Sequence, residues 1–280
     1  NLRAAPGTDF DLVGREIASV SLRHEQGQTT TPDINGVSQT MALDKWTTVV
    51  QSGRTFNDVG QLTASKELSF DGDTIALNGT ETAWNALTNA QRAGLQSGAL
   101  VADEMVTLTS RTGIAYNGRG LATDYTDATR ELSTSLDHVR STEHRGVVYN
   151  ALAQATDYTD TLRDNLTPGV TETTRVQSIE YNGFGQMIAN HETKTQTGDL
   201  ISAVETDRHL SYDNANRLAT EHTVGVNAQG VTTDRLYAVK SYNGFGRVSS
   251  ESIETLQSAD AGTDVLTGAP VSGFSLSTLS

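Results

Sequence analysis

The sequence has no cysteine, and only four prolines, three methionines and two tryptophans among its 280 residues. Without cysteine there are no disulfides and no thiolate chemistry. Hydrophobic residues make up 36% and aromatics 6%, which is little for a chain built around a large core. No apolar run approaches the ~20 residues of a membrane helix. Asn1-Leu2-Arg3 is not the start of a signal peptide and includes no initiator Met, so a mature or excised segment is the expectation. Basic residues are also scarce: 20 Lys plus Arg stand against 34 Asp plus Glu, a formal charge of −14. With no basic stripe to neutralise phosphates, nucleic acid is excluded as a partner and anionic membrane surfaces are disfavoured. There is no Gly-x-Ser-x-Gly elbow and no phosphate-cradling Gly-rich loop with a lysine, so no enzymatic activity is expected.

What is present is a recurring phrase: an aromatic, Asn or Asp, two variable residues, Gly, then Gln or Arg. It reads Tyr181-Asn182-Gly183-Phe184-Gly185-Gln186 and again Tyr242-Asn243-Gly244-Phe245-Gly246-Arg247. Close relatives are Phe10-Asp11-Leu12-Val13-Gly14-Arg15 and Phe56-Asn57-Asp58-Val59-Gly60-Gln61. Weaker copies open at Tyr116 (with Asn117 and Gly120), Tyr149 (with Asn150) and Tyr212 (with Asp213). From Tyr116 onward the steps are 33, 32, 31 and 30 residues, a period that marks a repeat architecture.

Each phrase carries turn chemistry. Asn and Asp bond backbone two residues on, and Gly three residues later supplies the positive φ of a four-residue hairpin loop. Between phrases the chain alternates with period two and is rich in Thr, Val and Ile, as in Leu218 to Val226. A second turn lies midway, at Gln196-Thr197-Gly198-Asp199 and Asn227-Ala228-Gln229-Gly230. One repeat is therefore one β-hairpin with strands of about eleven residues. The predicted fold class is all-β, an antiparallel hairpin array with a period of about 30 residues. Phrase turns should line one rim and variable turns the other.

The period breaks twice. The 46-residue step from Phe10 to Phe56 holds a predicted loop around Thr31 to Gly36. The 60-residue step from Phe56 to Tyr116 holds one short helix near 81–96, with Thr80 or Thr82 as cap and Gly98 just past its end. This insertion should fold Trp84 and Leu87 onto a sheet face. The expected organisation is a first repeat over 1–55, a second with the helix over 56–115, regular hairpins over 116–256, and a tail or linking strand over 257–280. Many strands are polar on both faces, so their register is weakly specified by burial, and neighbouring repeats or other copies must supply contacts.

The phrase resembles the YD repeat of RHS-type bacterial proteins, best at Phe10 to Arg15 and Tyr242 to Arg247. It is also similar to the hairpin repeats of very large bacterial surface proteins, a shape seen in Tyr149 to Asp160. The resemblance implies a secreted array at the bacterial cell surface, acting as shell, fibre or adhesive stalk. The period here is longer than the roughly twenty residues of the YD repeat, and the acidic core that closes RHS shells is not recognisable. A structural polymer of copies of this chain is therefore the leading expectation. The alternatives are a monomeric adhesin binding glycan or a host protein, and a toxin-enclosing shell.

Other candidates are weaker. Asp-Tyr-Thr-Asp recurs at Asp124 to Asp127 and Asp157 to Asp160, and Asp71-Gly72-Asp73 has part of a calcium-turn pattern. These carboxylates (Asp71, Asp73, Asp124, Asp127, Asp157 and Asp160) are the only candidates for Ca²⁺, and no other cofactor is implied. His191 and His222 each lie ten residues after a phrase tyrosine. Their strands should stand two apart, roughly 9.5 Å, too far to share one zinc. Asn78 and Asn165 open sequons. Tyr116, Tyr149, Tyr181, Tyr212 and Tyr242 should form a row that clamps each turn to the next hairpin, with glycan stacking as the alternative use.

Overall fold

The computed structural model describes residues 2–4, 8–32, 38–198, 202–259, 262–263, 270–271 and 274–279. Among the described residues the chain is all-β apart from one short 3₁₀ turn and one α-helix, and its long strands pair antiparallel with their sequence neighbours. It divides into two compact units. The first comprises Asn1–Glu143 with Asp164–Leu166, and the second His144–Arg163 with Thr167–Ser280.

In the first unit the strands are β1 (Leu2–Ala4), β2 (Asp9–Phe10), β3 (Glu16–Pro32), β4 (Ser38–Phe56) and β5 (Leu62–Asp71). After β5 come the short strands β6 (Thr74–Leu77) and β7 (Thr80–Ala83), then helix α1 (Asn89–Ser97), β8 (Val106–Tyr116) and β9 (Ala122–Ser133). Within its sheet the order is β1-β3-β4-β5-β8-β9, with β2 also on β3. The 46-residue step is a longer hairpin: β3 and β4 stay in register out to Pro32 opposite Ser38, so Thr31 and Pro32 of the predicted loop lie in β3. Residues 33–36 of the predicted loop lie outside the described residues.

The insertion falls between β5 and β8, which pair directly at Phe70 and Val106. The helix starts later than predicted. Thr80 and Thr82 lie in the β6–β7 hairpin, Trp84 opens a 3₁₀ turn, and Thr88 caps α1. Thr88 Oγ1 accepts from the Gln91 amide while Gln91 Oε1 accepts from the Thr88 amide, a reciprocal capping box. Gly98, at φ +70°, ends the helix. Helical spacing from Trp84 onward masked a chain that needed two strands first.

This insertion carries the core. Ile75, Leu77, Trp84, Leu87, Leu95 and Ala102 pack on the sheet residues Val50, Leu68, Phe70, Val106 and Leu132. Phe70 and Trp84 face each other at 6.1 Å between ring centroids. The buried Thr48 donates from its hydroxyl to the Gly72 carbonyl at 2.7 Å, which satisfies the polar atom where the sheet enters the insertion.

β10 (Leu136–Tyr149) contributes residues to both units. The second unit continues with β11 (Ala155–Asp164), β12 (Thr171–Tyr181), β13 (Met187–Thr197) and β14 (Ser202–Tyr212). It is completed by β15 (Leu218–Asn227), β16 (Thr232–Tyr242), β17 (Val248–Ala259), two-residue strands β18 (Gly262–Thr263) and β19 (Pro270–Val271), and β20 (Phe274–Leu279). From β11 to β17 each strand pairs with the next, and β20 closes on β17. Among its described residues only Val176 and Ile179 are buried hydrophobics. Cross-strand polar pairs take the place of a core: Lys194 with Glu172 at 2.8 Å, Arg208 with Glu221 at 3.2 Å and His191 with Asp207 at 2.8 Å.

Because the apolar cluster belongs to the first unit, Trp84→Ala should act there alone. Emptying that site is expected to cost about 3–5 kcal/mol. Hydrogen exchange should speed up in β4, β5 and β8, with β13 to β16 unchanged.

Candidate functional site

All seven phrase turns share one geometry. The Asn or Asp amide donates to the carbonyl four residues on: Asp11 to Arg15, Asn57 to Gln61, Asn117 to Leu121, Asn150 to Gln154, Asn182 to Gln186, Asp213 to Arg217 and Asn243 to Arg247, at 2.8–3.0 Å. The side-chain Oδ1 then accepts two further amides, as in Asn182, which takes Phe184 at 2.9 Å and Gln186 at 3.0 Å. Three residues therefore lie between the closing pair, one fewer than predicted: a type I turn followed by a left-handed residue. That residue is Gly14, Gly60, Gly120, Gly185 or Gly246 in five turns, but Ala153 (φ +63°) and Asn216 (φ +61°) in the other two. Asn227 to Val231, on the opposite side, repeats the same bonds with no aromatic before it. The Asn builds the turn, so the aromatic is there for something else.

The second and sixth positions are chemically matched. Where the second is Asp, the sixth is Arg: Asp11 holds Arg15 at 2.6 Å and Asp213 holds Arg217 at 2.7 Å. Bonding from the turn amides and the arginine keeps both carboxyls below the usual carboxylate range. Where the second is Asn, Gln follows, and the Asn amide donates to it in Asn57–Gln61, Asn150–Gln154 and Asn182–Gln186 at 2.8–2.9 Å. Asn117 with Leu121 and Asn243 with Arg247 break this matching.

The aromatics and sixth residues connect repeat to repeat. The Tyr116 hydroxyl donates to the Leu62 carbonyl, Tyr181 to Ala155, Tyr212 to Met187 and Tyr242 to Leu218. Each acceptor immediately follows the preceding phrase. Arg15 also lies over the Phe56 ring at 4.4 Å and Arg217 over the Tyr242 ring at 4.2 Å. Gln186 donates to the Asn216 carbonyl of the next turn at 2.8 Å. The result within each unit is a ladder running across successive turns.

Sequence reading missed a second recurring device. Three residues before the aromatic, the strand takes a left-handed bulge at Gly53, Gly113, Gly146 and Ser178, with φ of +53° to +64°. A Gly at that offset in three copies was the available signal. The bulge re-aims the strand just before the clamp.

The calcium candidates do not converge. Asp71 pairs with Lys45 at 3.0 Å, Asp127 with Arg111 at 2.6 Å and Asp160 with His144 at 2.6 Å. Among the described residues no three His, Asp or Glu side chains come together in a way that would hold a metal. His191 and His222 sit on β13 and β15, with β14 between them, each beside its own carboxylate, Asp207 or Asp234. A cleft of about 530 Å³ on the first unit is lined by Arg54, Lys66, Arg111 and Asp127, and its arginines are ion-paired with Glu16 and Asp127. The turn tips are the apolar feature: Phe184 is 76% and Phe245 92% exposed.

Two predictions come from these geometries. Gly185→Val should destabilise by about 1–2 kcal/mol through its left-handed backbone, whereas Ala153→Gly should stabilise by about 0.5–1 kcal/mol. Urea unfolding checks both. His138 lies between Asp164 at 3.0 Å and Glu131 at 3.4 Å, and its bond to Asp164 raises its pKa above the ordinary 6.5. The stabilisation it provides is full below about pH 6.5 and is lost as pH rises through the raised folded value. An NMR titration should place the His138 midpoint above 6.5, and Asp164→Asn should move it back down.

In comparisons with protein-family models, curated proteins and solved structures, none matches this chain.

Proposed function

We propose that the chain is a structural segment of the bacterial cell exterior, a β-hairpin array that assembles with other copies of itself into a fibre, tube or sheath. The observation that carries this reading is the direction of the phrase contacts. The tyrosine hydroxyls of Tyr116, Tyr181, Tyr212 and Tyr242 reach the preceding repeat, while Arg15 and Arg217 reach the next. Side chains that recur at fixed spacing and tie each repeat to its neighbours serve continuity, not a converging active site. The resemblance of the phrase to YD repeats supports an extracellular bacterial setting.

A second reading rests on the turn tips. Phe184 and Phe245 project into solvent from hydrogen-bonded turns, and a monomeric adhesin would use them to stack on glycans. Negative-stain electron microscopy of the dilute and concentrated chain, with and without Ca²⁺, separates the two. Regular filaments or tubes at high concentration are the expected result. Monodisperse particles throughout would overturn assembly and turn attention to glycan binding.

A further inference from the structure

The ladder of the first unit begins, and that of the second ends, in complementary halves. Phe10 is the first aromatic of the series; it is 58% exposed, and among the described residues no cation lies over its ring. Arg247 is the last sixth-position residue. It faces Asn243 instead of Asp, so its turn offers no carboxylate, and its guanidinium has no partner among the described residues. The two arginines that do have a following phrase, Arg15 and Arg217, both lie over its aromatic. Arg15 on Phe56 is the closer precedent, since that ring also lacks a hydroxyl.

The backbone at these positions is complementary too. Within the array, the strand entering a phrase pairs with the strand leaving the previous one, as β14 does with β13. β17 pairs with β20 only through Glu254 to Ala259, so the outer side of Val248 to Ile253 has no strand partner among the described residues. β2, which ends in Phe10, pairs with β3 and, among the described residues, with no other strand.

We infer that the Phe10 edge of one copy docks beside Val248 of another, placing the Phe10 ring under Arg247 and continuing the ladder between molecules. This rests on the structural-array reading and names its contact. The occupant is a second copy, because the two surfaces repeat, residue type for residue type, the contact already made inside the chain between Arg15 and Phe56. A head-to-tail contact of this kind is heterologous, so its product is an open filament or a ring.

Sedimentation velocity across a concentration series tests it on the full chain, with Phe10→Ala, Arg247→Ala, the double variant and Phe10→Trp. Both residues are exposed, and unchanged melting temperatures would establish that the variants fold. Each alanine variant should raise the concentration for half-association about fivefold, the effect of an exposed cation–π contact. The double variant should also shift about fivefold rather than about 25-fold, because both changes remove one contact. Phe10→Trp should lower that concentration, tryptophan being the better ring. Association unaffected by the variants, or additive losses, would overturn the inference while leaving the array reading in place. A wild-type chain that stays monomeric at every concentration would overturn both.

Discussion

The hairpin array depends on one side-chain carbonyl or carboxylate oxygen in each phrase turn accepting two backbone amides at once. In each phrase turn the Asn or Asp Oδ1 binds the amides two and four residues on, and the left-handed residue closes the loop. That arrangement fixes where each hairpin folds, and so which residues face each other along strands of ten to twelve residues in β11 to β17. A strand polar on both faces has no other strong reason to hold its register, since a one-residue slip exposes nothing it had buried. Here turn chemistry does what hydrophobic patterning does in an ordinary sheet.

The two units solve the stability problem differently. The first places Trp84, Leu87 and Leu95 from an insertion over Leu68, Phe70 and Val106, a conventional layer on a sheet face. The second relies on turns, cross-strand ion pairs and tyrosine clamps, each worth about 0.2–1.5 kcal/mol, the exposed ion pairs at the low end. Such contributions are small singly, but they recur with every repeat, and each repeat stabilises the next. Repeat arrays are stabilised in this nearest-neighbour way, and clamps that reach back one repeat are the means by which it happens here.

Much of the fold was legible because its code is local. Asn or Asp with Gly three residues later announces a turn whatever surrounds it, and the alternation of Leu218 to Val226 announces a strand. Ala153 and Asn216, by contrast, hold the left-handed position without Gly, which is why those copies looked degraded. The helix start differs from expectation because Thr80 and Thr82 have N-cap chemistry and Trp84, Leu87, Ala90, Gln91 and Leu95 fall at helical spacing, yet the chain places them in β7, a 3₁₀ turn and only then α1. Only packing on Phe70 decides between them. The clamp partners Leu62, Ala155, Met187 and Leu218 offer backbone carbonyls, to which sequence is blind. The matching of Asp with Arg and Asn with Gln was written in the phrases, but its meaning required seeing the second and sixth side chains meet.

The central claim is that the phrase turns, not buried surface, set the register of the second unit. Amide hydrogen exchange resolved by NMR tests it most directly. If the turns hold the array, the amides of Gln186, Arg217 and Arg247 should be at least as protected as mid-strand amides such as Thr193 and Thr223. Strand ends remote from the phrase turns should exchange first. If instead the phrase-turn amides exchange fastest while mid-strand amides persist, register is held elsewhere and the turns merely follow it.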